Sequence, residues 1–372
     1  MKEFDNYSLL KHNTFGIDVK CRKFIEFETE EELEEIIPQT QGQPTLVLGG
    51  GSKMLFTKDY DGIVLHSGIK GIKLLDKESI SGAKENDCNT GGTRDMNDSI
   101  DCGADGVNCQ LSIVNCQLPV RALVGSGEVM DEAIEYFISQ GWYGAENLSL
   151  IPGSVGAAAV QNIGAYGTEA KDIIYSVEGI RRSDGKKLIL SNEECHFAYR
   201  HSIFKEELKD FVITAVVFQL STEFTPRLDY GNLRQVMEGR ELTAANVREA
   251  VIETRRSKLP DTDVLGSVGS FFVNPVVERQ QYLNIAEQYP GMPHYEIDDN
   301  HVKIPAGWLI EQCGWKGKSL GRAGVYEKQA LVIVNRGGAT GEEIVNLAKT
   351  ITNDVKNKFG ISLNPETIII GN

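Results

Sequence analysis

Two glycine-rich segments are the first places in this sequence where residue type and spacing admit chemistry. Val47-Leu48-Gly49-Gly50-Gly51-Ser52 runs a short apolar stretch into three glycines and a serine. Bare backbone N–H groups and a hydroxyl can approach a pyrophosphate closely. The segment is not a dinucleotide fingerprint, because after Gly49 and Gly51 the third glycine is replaced by Met54. Taken alone it reads first as a tight turn. The second segment, 151–167 (IPGSVGAAAVQNIGAYG), gathers Gly153, Gly156, Gly164 and Gly167 with Ser154, three alanines and the amides Gln161 and Asn162. Small side chains permit close approach of a large flat ligand, and the amides can pair with its polar edge. The same composition serves as a small-residue packing contact between lobes, and both readings stand. Gly317-Lys318-Ser319 has the look of a phosphate-loop ending, but Gln312 occupies the position where that loop requires glycine.

Metal and disulfide chemistry are not expected. The seven cysteines are odd in number and include no C-x-x-C pair, which favours reduced thiols, and the six histidines form no zinc-type spacing. Cys88, Cys102, Cys109 and Cys116 follow one another at separations of 14, 7 and 7, which match no common metal site.

These loops need elements to hold them. The run 29–38 places Thr29 as an N-cap with Glu32 at capping-box spacing, and predicts a helix that Pro38 ends. Apolar runs at 45–48 and 62–66 predict buried strands. A strand at 120–124, a Gly125-Ser126-Gly127 turn and an amphipathic helix over 128–140 come next, the helix stopping at Gly141. Further strands are expected at 172–177, 211–220, 330–334 and 367–370, and helices at 243–257 and 341–359. The mixture predicts an α+β architecture in several lobes.

The 372 residues are enough for two or three domains, and 24% charged against 41% hydrophobic residues describe a globular chain. A net charge of -15 disfavours nucleic-acid binding, which calls for a basic surface. Residues 1–13 lack the apolar core of a secretory signal, so a cytoplasmic protein is expected. The uncharged stretch 147–168 is long enough to cross a bilayer, but Pro152 and its many glycines break it up, so no membrane insertion is expected. Residues 76–106 carry three bases against eight acids and no aromatic residue, the composition of a surface loop. A short echo, VNCQL at 107–111 and again at 114–118, suggests a hairpin.

Several motifs in order carry a closer resemblance: Asn13-Thr14-Phe15-Gly16, Gly49-Gly50-Gly51-Ser52, the segment from Glu146 to Gly167, Tyr199-Arg200 with Ser202 and Phe204-Lys205, Gly269-Ser270-Phe271-Phe272 with Asn274-Pro275, and Asn364-Pro365-Glu366. In these the chain resembles the UDP-N-acetylenolpyruvoylglucosamine reductase family, type I, with only the acidic segment unmatched. The resemblance implies a two-subdomain FAD-binding fold of the vanillyl-alcohol-oxidase type plus a C-terminal α+β substrate-binding domain. On that reading residues 1–67, completed by a strand near 364–372, form the first subdomain. Residues 68–222, with the insertion 76–106, form the second, and 223–363 form the substrate domain. The expected activity is NADPH-dependent reduction of UDP-N-acetylglucosamine enolpyruvate to UDP-N-acetylmuramate through noncovalent FAD, in bacterial peptidoglycan precursor synthesis. The alternative is another FAD-dependent oxidoreductase on the same scaffold, such as an alcohol or sugar oxidase. A monomer is implied.

Residue by residue, the resemblance implies that Gly49, Gly50, Gly51 and Ser52 hold the FAD pyrophosphate. Gly153, Ser154, Gly156, Gln161, Asn162, Gly164, Ala165 and Tyr166 would lie along the flavin. Lys53 stands where the family commonly has Asn. Ser270 is the implied proton donor. Arg200 would bind the substrate carboxylate through paired hydrogen bonds. Glu366, at a buried strand entrance, would donate a hydrogen bond to the anionic intermediate. Tyr199, Tyr230, Lys258, Asn274 and Gln312 are the implied substrate contacts, Tyr230 as a mobile cover. The charge distribution suits anionic ligands, because 227–340 has fourteen bases and fourteen acids while the acidity lies elsewhere.

Overall fold

The structure is a computed structural model that describes residues 1–75 and 119–371. The acidic segment 76–106, the VNCQL echo and Cys88, Cys102, Cys109 and Cys116 lie outside the described residues.

The N-terminal sheet pairs Lys20–Phe27 and Tyr60–Ser67 in parallel at its centre, with Thr45–Val47 parallel at one edge and Lys2–Ser8 antiparallel at the other. Parallel neighbours need a crossover, and the helix Glu30–Thr40 supplies it. Its Leu33, Ile36 and Ile37 pack on Ile25, Phe27, Ile63 and Leu65. Thr29 caps it by accepting from the Glu32 N–H, as the spacing predicts. Pro38 does not end it. A proline in the last turn forfeits a single backbone bond, and Thr40 Oγ1 donates to the Ile37 carbonyl at 2.8 Å beyond it.

The second sheet is antiparallel, in the order Lys186–Ser191, Ile174–Arg181, Phe211–Leu220, Val120–Gly125, Ile72–Leu74. Helices Met130–Ser139 and Val155–Gln161 bury Phe137, Val155 and Ala159 with Val177, Val216 and Phe218. Ile180 and Val212 join the cluster around Leu33 instead. Phe211–Leu220 is thus covered on both faces, which is why it reads as an almost unbroken apolar run. The uncharged stretch around 151–167 is not a bare loop, since it contains the buried helix Val155–Gln161.

Toward the C-terminus, Gly266–Ser270, Val332–Asn335, Ala323–Val325 and Ser319–Leu320 form an antiparallel sheet backed by helix Gly341–Phe359. A three-stranded sheet of Val276–Glu278, His301–Lys303 and Tyr295–Glu296 lies beside helix Arg279–Ala286. The core here is continuous with the N-terminal lobe, with Phe15, Leu55 and Phe56 in one cluster with Phe271, Phe272 and Ile344. The last strand, Ile368–Ile370, returns to pair in parallel with Met54–Phe56.

Helix Ala244–Lys258 is clamped to the second sheet's helix by Arg248, which donates to both carboxylate oxygens of Asp131 at 2.5 and 3.1 Å. Burial pushes Asp131 up, but the Arg248 bonds and the Leu150 N–H more than offset it, and its pKa falls below the ordinary value of 3.8. Asp131→Ala is expected to cost about 2 kcal/mol in urea unfolding at neutral pH. A depressed carboxylate contributes its stability above the unfolded value and loses it as pH falls through the folded one. The gap between wild type and variant should therefore narrow below about pH 4.

Candidate active site

The two glycine segments meet. Ser52 Oγ donates to the Pro152 carbonyl at 2.9 Å, and a Cβ on Gly50 would stand 3.0 Å from Gly153 Cα. A Cβ on Gly49 would strike Ser154 Oγ at 2.8 Å, and on Gly51, at φ +61°, the His12 carbonyl oxygen at 2.0 Å. Backbone contact this close excludes side chains. Ser154 caps helix Val155–Gln161 through the Ala157 N–H. Gly156 lies on Ser126, where a Cβ would meet Ser126 Cβ at 2.9 Å.

At the far end of that helix, Ala198 and His201 exchange both backbone hydrogen bonds, leaving Tyr199 and Arg200 at the tip of a tight turn. Arg200 has φ +56° and Tyr166, at the tip of the Gly164–Ala165 and Thr168–Glu169 hairpin, has φ +48°. Such conformations cost roughly 1–3 kcal/mol each and collect at functional sites. Asn162 Nδ2 donates to the Ala198 carbonyl, its Oδ1 accepts from the Lys171 N–H, and Ser202 Oγ donates to the Val160 carbonyl. The Asn162 amide thus holds this turn. Arg200 Nη2 donates to the Gly164 carbonyl at 2.6 Å, and a Cβ on Gly164 would stand 2.8 Å from Nη1. Gly164→Ala should push the guanidinium aside and slow substrate turnover roughly tenfold, measured as kcat with the melting temperature as control.

Glu366 is the centre of the cluster. Its side chain is 7% exposed, with Lys53 Nζ at 3.1 Å and Arg200 Nε at 3.4 Å. Gln161 Nε2 donates to the same carboxylate oxygen at 3.1 Å. Glu366 is the acceptor in each of these contacts, and Gln161, like Asn162, has a protein partner. The backbone explains the placement. Val273 N–H donates to Asn364 O and Glu366 N–H to Phe271 O, so 364–366 runs alongside Phe271-Phe272-Val273. That pairing sets Glu366 next to the strand end that carries Ser270.

Ser270 closes strand Gly266–Ser270 after Gly269, whose φ is +68°. Its carbonyl accepts from Lys53 Nζ at 2.7 Å. Lys205 donates to the Arg200 carbonyl at 2.8 Å, and burial lowers the pKa of Lys53, Lys205 and Arg255. Lys53, Arg200 and Lys205 thus face Glu366, with Glu169 also 3.9 Å from Arg200, an arrangement suited to anionic ligands despite the chain's net charge.

Around this centre, Tyr166 and Tyr230 meet edge to face at 6.3 Å, and Tyr230 bonds Tyr295. Lys303 Nζ lies 4.7 Å from the Tyr199 ring centroid and 5.7 Å from that of Tyr295. Asn274 bonds the Tyr199 hydroxyl and accepts from the Ala306 N–H at 2.9 Å, so it orients Tyr199. Lys258 reaches Asn232, beside Tyr230, at 3.5 Å. Gln312 is not drawn into these contacts; it ends helix Ala306–Gln312, and its carbonyl accepts from Lys358 at 2.5 Å. Sequence reasoning missed Lys303 and Tyr295 as site residues and noted Lys53 only as a departure. The signal for Lys53 was a lone charge behind three glycines; Lys303 and Tyr295 gave none.

Residues 112–191 match the FAD binding domain family, and 260–370 match the UDP-N-acetylenolpyruvoylglucosamine reductase, C-terminal domain. The UDP-N-acetylenolpyruvoylglucosamine reductase of Bacteroides fragilis is 45% identical over 367 residues, covering 98% of this chain and 99% of its own. The chain belongs to the UDP-N-acetylenolpyruvoylglucosamine reductase family. The Porphyromonas gingivalis reductase is 40% identical, with 97% of each chain covered. The crystal structure of the Thermus caldophilus reductase has the same fold at a TM-score of 0.61 and 20% identity, covering 99% of this chain and 98% of that one.

Membership in this reductase family makes the chain an FAD-containing oxidoreductase with an FAD-binding domain and an α+β C-terminal region. It favours the reductase reading over an alcohol or sugar oxidase. The residues present fit FAD. A cleft of about 710 Å³ runs between the N-terminal and second sheets, lined by Gly50, Gly68, Gly127, Gly153 and Ser154 together with His66. Among the described residues the buried Thr14 hydroxyl has no hydrogen-bond partner, and Thr14 N–H donates to the Gly51 carbonyl. A hydroxyl donor and bare glycine backbone are what a pyrophosphate recruits. Among the described residues, no helix is long and apolar enough to cross a membrane.

Proposed function

We propose that this chain reduces UDP-N-acetylglucosamine enolpyruvate to UDP-N-acetylmuramate with electrons from NADPH, as a cytoplasmic monomer, and that Arg200, Ser270 and Glu366 carry the chemistry. The observation that supports it is the convergence of Arg200 and Lys53 on Glu366 beside the Ser270 strand end. When bound, FAD supplies the hydride chemistry between NADPH and the substrate alkene. Gly49, Gly50, Gly51 and Ser52 would hold its pyrophosphate, and the backbone from Gly153 to Tyr166 would line its ring system.

Arg200 takes the substrate carboxylate. As hydride adds to the terminal alkene carbon, negative charge spreads from the neighbouring carbon onto that carboxylate, and a guanidinium already fixed by Gly164 needs little reorganisation to stabilise it. Ser270 Oγ donates its proton to the neighbouring carbon and recovers one from water. Glu366 keeps Arg200 and Lys53 in register and, in its protonated form, donates a hydrogen bond to the anionic intermediate. Tyr199, Tyr230, Lys258 and Asn274 receive the nucleotide sugar, and Gln312 is kept as an outlying contact. We further propose that 1–67 with 364–372, 68–222 and 223–363 act as the two cofactor subdomains and the substrate domain.

The test is anaerobic mixing of purified protein with NADPH and then with UDP-N-acetylglucosamine enolpyruvate, following flavin absorbance. Bleaching by NADPH and then reoxidation by the substrate is expected. Bleached flavin that only oxygen reoxidises would reject the reading.

A further inference from the structure

Lys53 is the one charged side chain in the run Val47 to Met54, and it reaches out of the glycine loop to a different sheet. Its ammonium donates to the Ser270 carbonyl at 2.7 Å and lies 3.1 Å from Glu366 Oε1. Its own carbonyl accepts from the Ile368 N–H at 2.9 Å, just before Met54–Phe56 pairs with Ile368–Ile370. Lys53 is therefore anchored to the C-terminal strand by its backbone and to the Ser270 strand end by its side chain. We propose that Lys53 is a positioning residue for proton transfer, its ammonium fixing the Ser270 turn and the Glu366 carboxylate relative to each other. This rests on the roles given to Ser270 and Glu366 under the proposed function and assigns the loop a task beyond holding a cofactor.

The chemistry of an ammonium suits the task. It is compact, and two of its three N–H groups serve a neutral carbonyl and a carboxylate at once. A neutral side chain would leave Glu366 with Arg200 as its cationic partner. The groups facing Lys53 are Glu366 from the C-terminal segment, Arg200 from the tight turn, Lys205 from the short helical turn Ile203–Lys205, and Arg255 from helix Ala244–Lys258. Tyr199 faces Glu366 from the same tight turn as Arg200. Burial lowers the Lys53 pKa, Glu366 opposes that, and Arg200 and Arg255 add to the lowering. The Lys53 charge is accordingly lost at lower pH than that of an ordinary lysine as pH rises. Tyr199 and Tyr230 are pushed up and deprotonate later.

The test uses the FAD-loaded enzyme and two variants, Lys53→Met and Lys53→Arg, each checked for melting temperature and retained FAD. Lys53→Met should slow reoxidation of reduced flavin by UDP-N-acetylglucosamine enolpyruvate roughly 10- to 100-fold, with bleaching by NADPH changed less than about threefold. Lys53→Arg should restore most of the rate and move the alkaline loss of reoxidation to higher pH, because a guanidinium stays charged. Equal slowing of both half-reactions, or FAD lost from Lys53→Met, would show that the ammonium serves the cofactor and would overturn the proposal. So would an alkaline limb that Lys53→Arg leaves in place, which would point to Lys205. Wild-type protein that fails to use the substrate would instead reject the proposed function, independently of either variant.

Discussion

Ser270→Ala should bleach with NADPH as fast as wild type and then fail to be reoxidised by substrate, the second step slowing by roughly 10²- to 10⁴-fold as expected for loss of a proton donor. The structure makes this variant clean. Lys53 is held by the Ser270 carbonyl, which belongs to the backbone and survives the substitution. The ladder bond from Phe271 N–H to Leu331 O and the bond from Glu366 N–H to Phe271 O are also main-chain. Removing one hydroxyl therefore takes away the proton and leaves the scaffold, so the melting temperature should hardly move. Stopped-flow absorbance separates the two half-reactions. Reoxidation at the wild-type rate would withdraw Ser270 from the role.

Glu366→Gln should do more, because it affects stability and turnover together. The carboxylate is nearly enclosed and faces Lys53, Arg200 and the Gln161 amide. Removing one partner of a buried ion pair costs roughly 3–5 kcal/mol because the other charge is left uncompensated. The lower end applies here, since the Lys53 and Arg200 side chains keep 25% and 20% of their exposure and water can reach them. Urea unfolding measures this loss. Glu366 is also the interaction that opposes the lowering of the Lys53 pKa. Without it the ammonium deprotonates at still lower pH, and the residual reoxidation rate should fall away earlier on the alkaline side. A variant of wild-type stability with an unchanged pH profile would contradict this arrangement of charges.

Much of the scaffold was legible because its signals are local. Thr29 caps its helix with Glu32 three residues on, as the side-chain reach requires. Phe211–Leu220 declared a strand by being apolar at nearly every position. The glycine loops were legible as places of close approach, although not for what they approach. Gly49 and Gly50 lie against Ser154, Ala157 and Gly153, so part of their smallness serves the contact between the two loops.

The amides and Glu366 have protein partners that no local reading could supply. An uncharged run with Gln161 and Asn162 looks the same whether those amides face a ligand or the protein. Asn162 turned inward because the tip at Tyr199 and Arg200 exposes a carbonyl and needs a donor. Gln161 found Glu366, which enters from more than two hundred residues away.

The sequence by itself determined a minority of the strands, among them those at 62–66, 120–124 and 211–220, the Thr29 cap, the two glycine loops and, through motifs in order, the family and its FAD chemistry. Only the tertiary structure showed how Arg200, Glu366 and the Ser270 strand end are brought together and that Lys53 joins them. No local spacing relates them. They are brought together by main-chain pairing of 364–366 along Phe271-Phe272-Val273 and of Ile368–Ile370 along Met54–Phe56, contacts between distant segments whose closure cost is met by the hydrophobic core that joins the first lobe to the last.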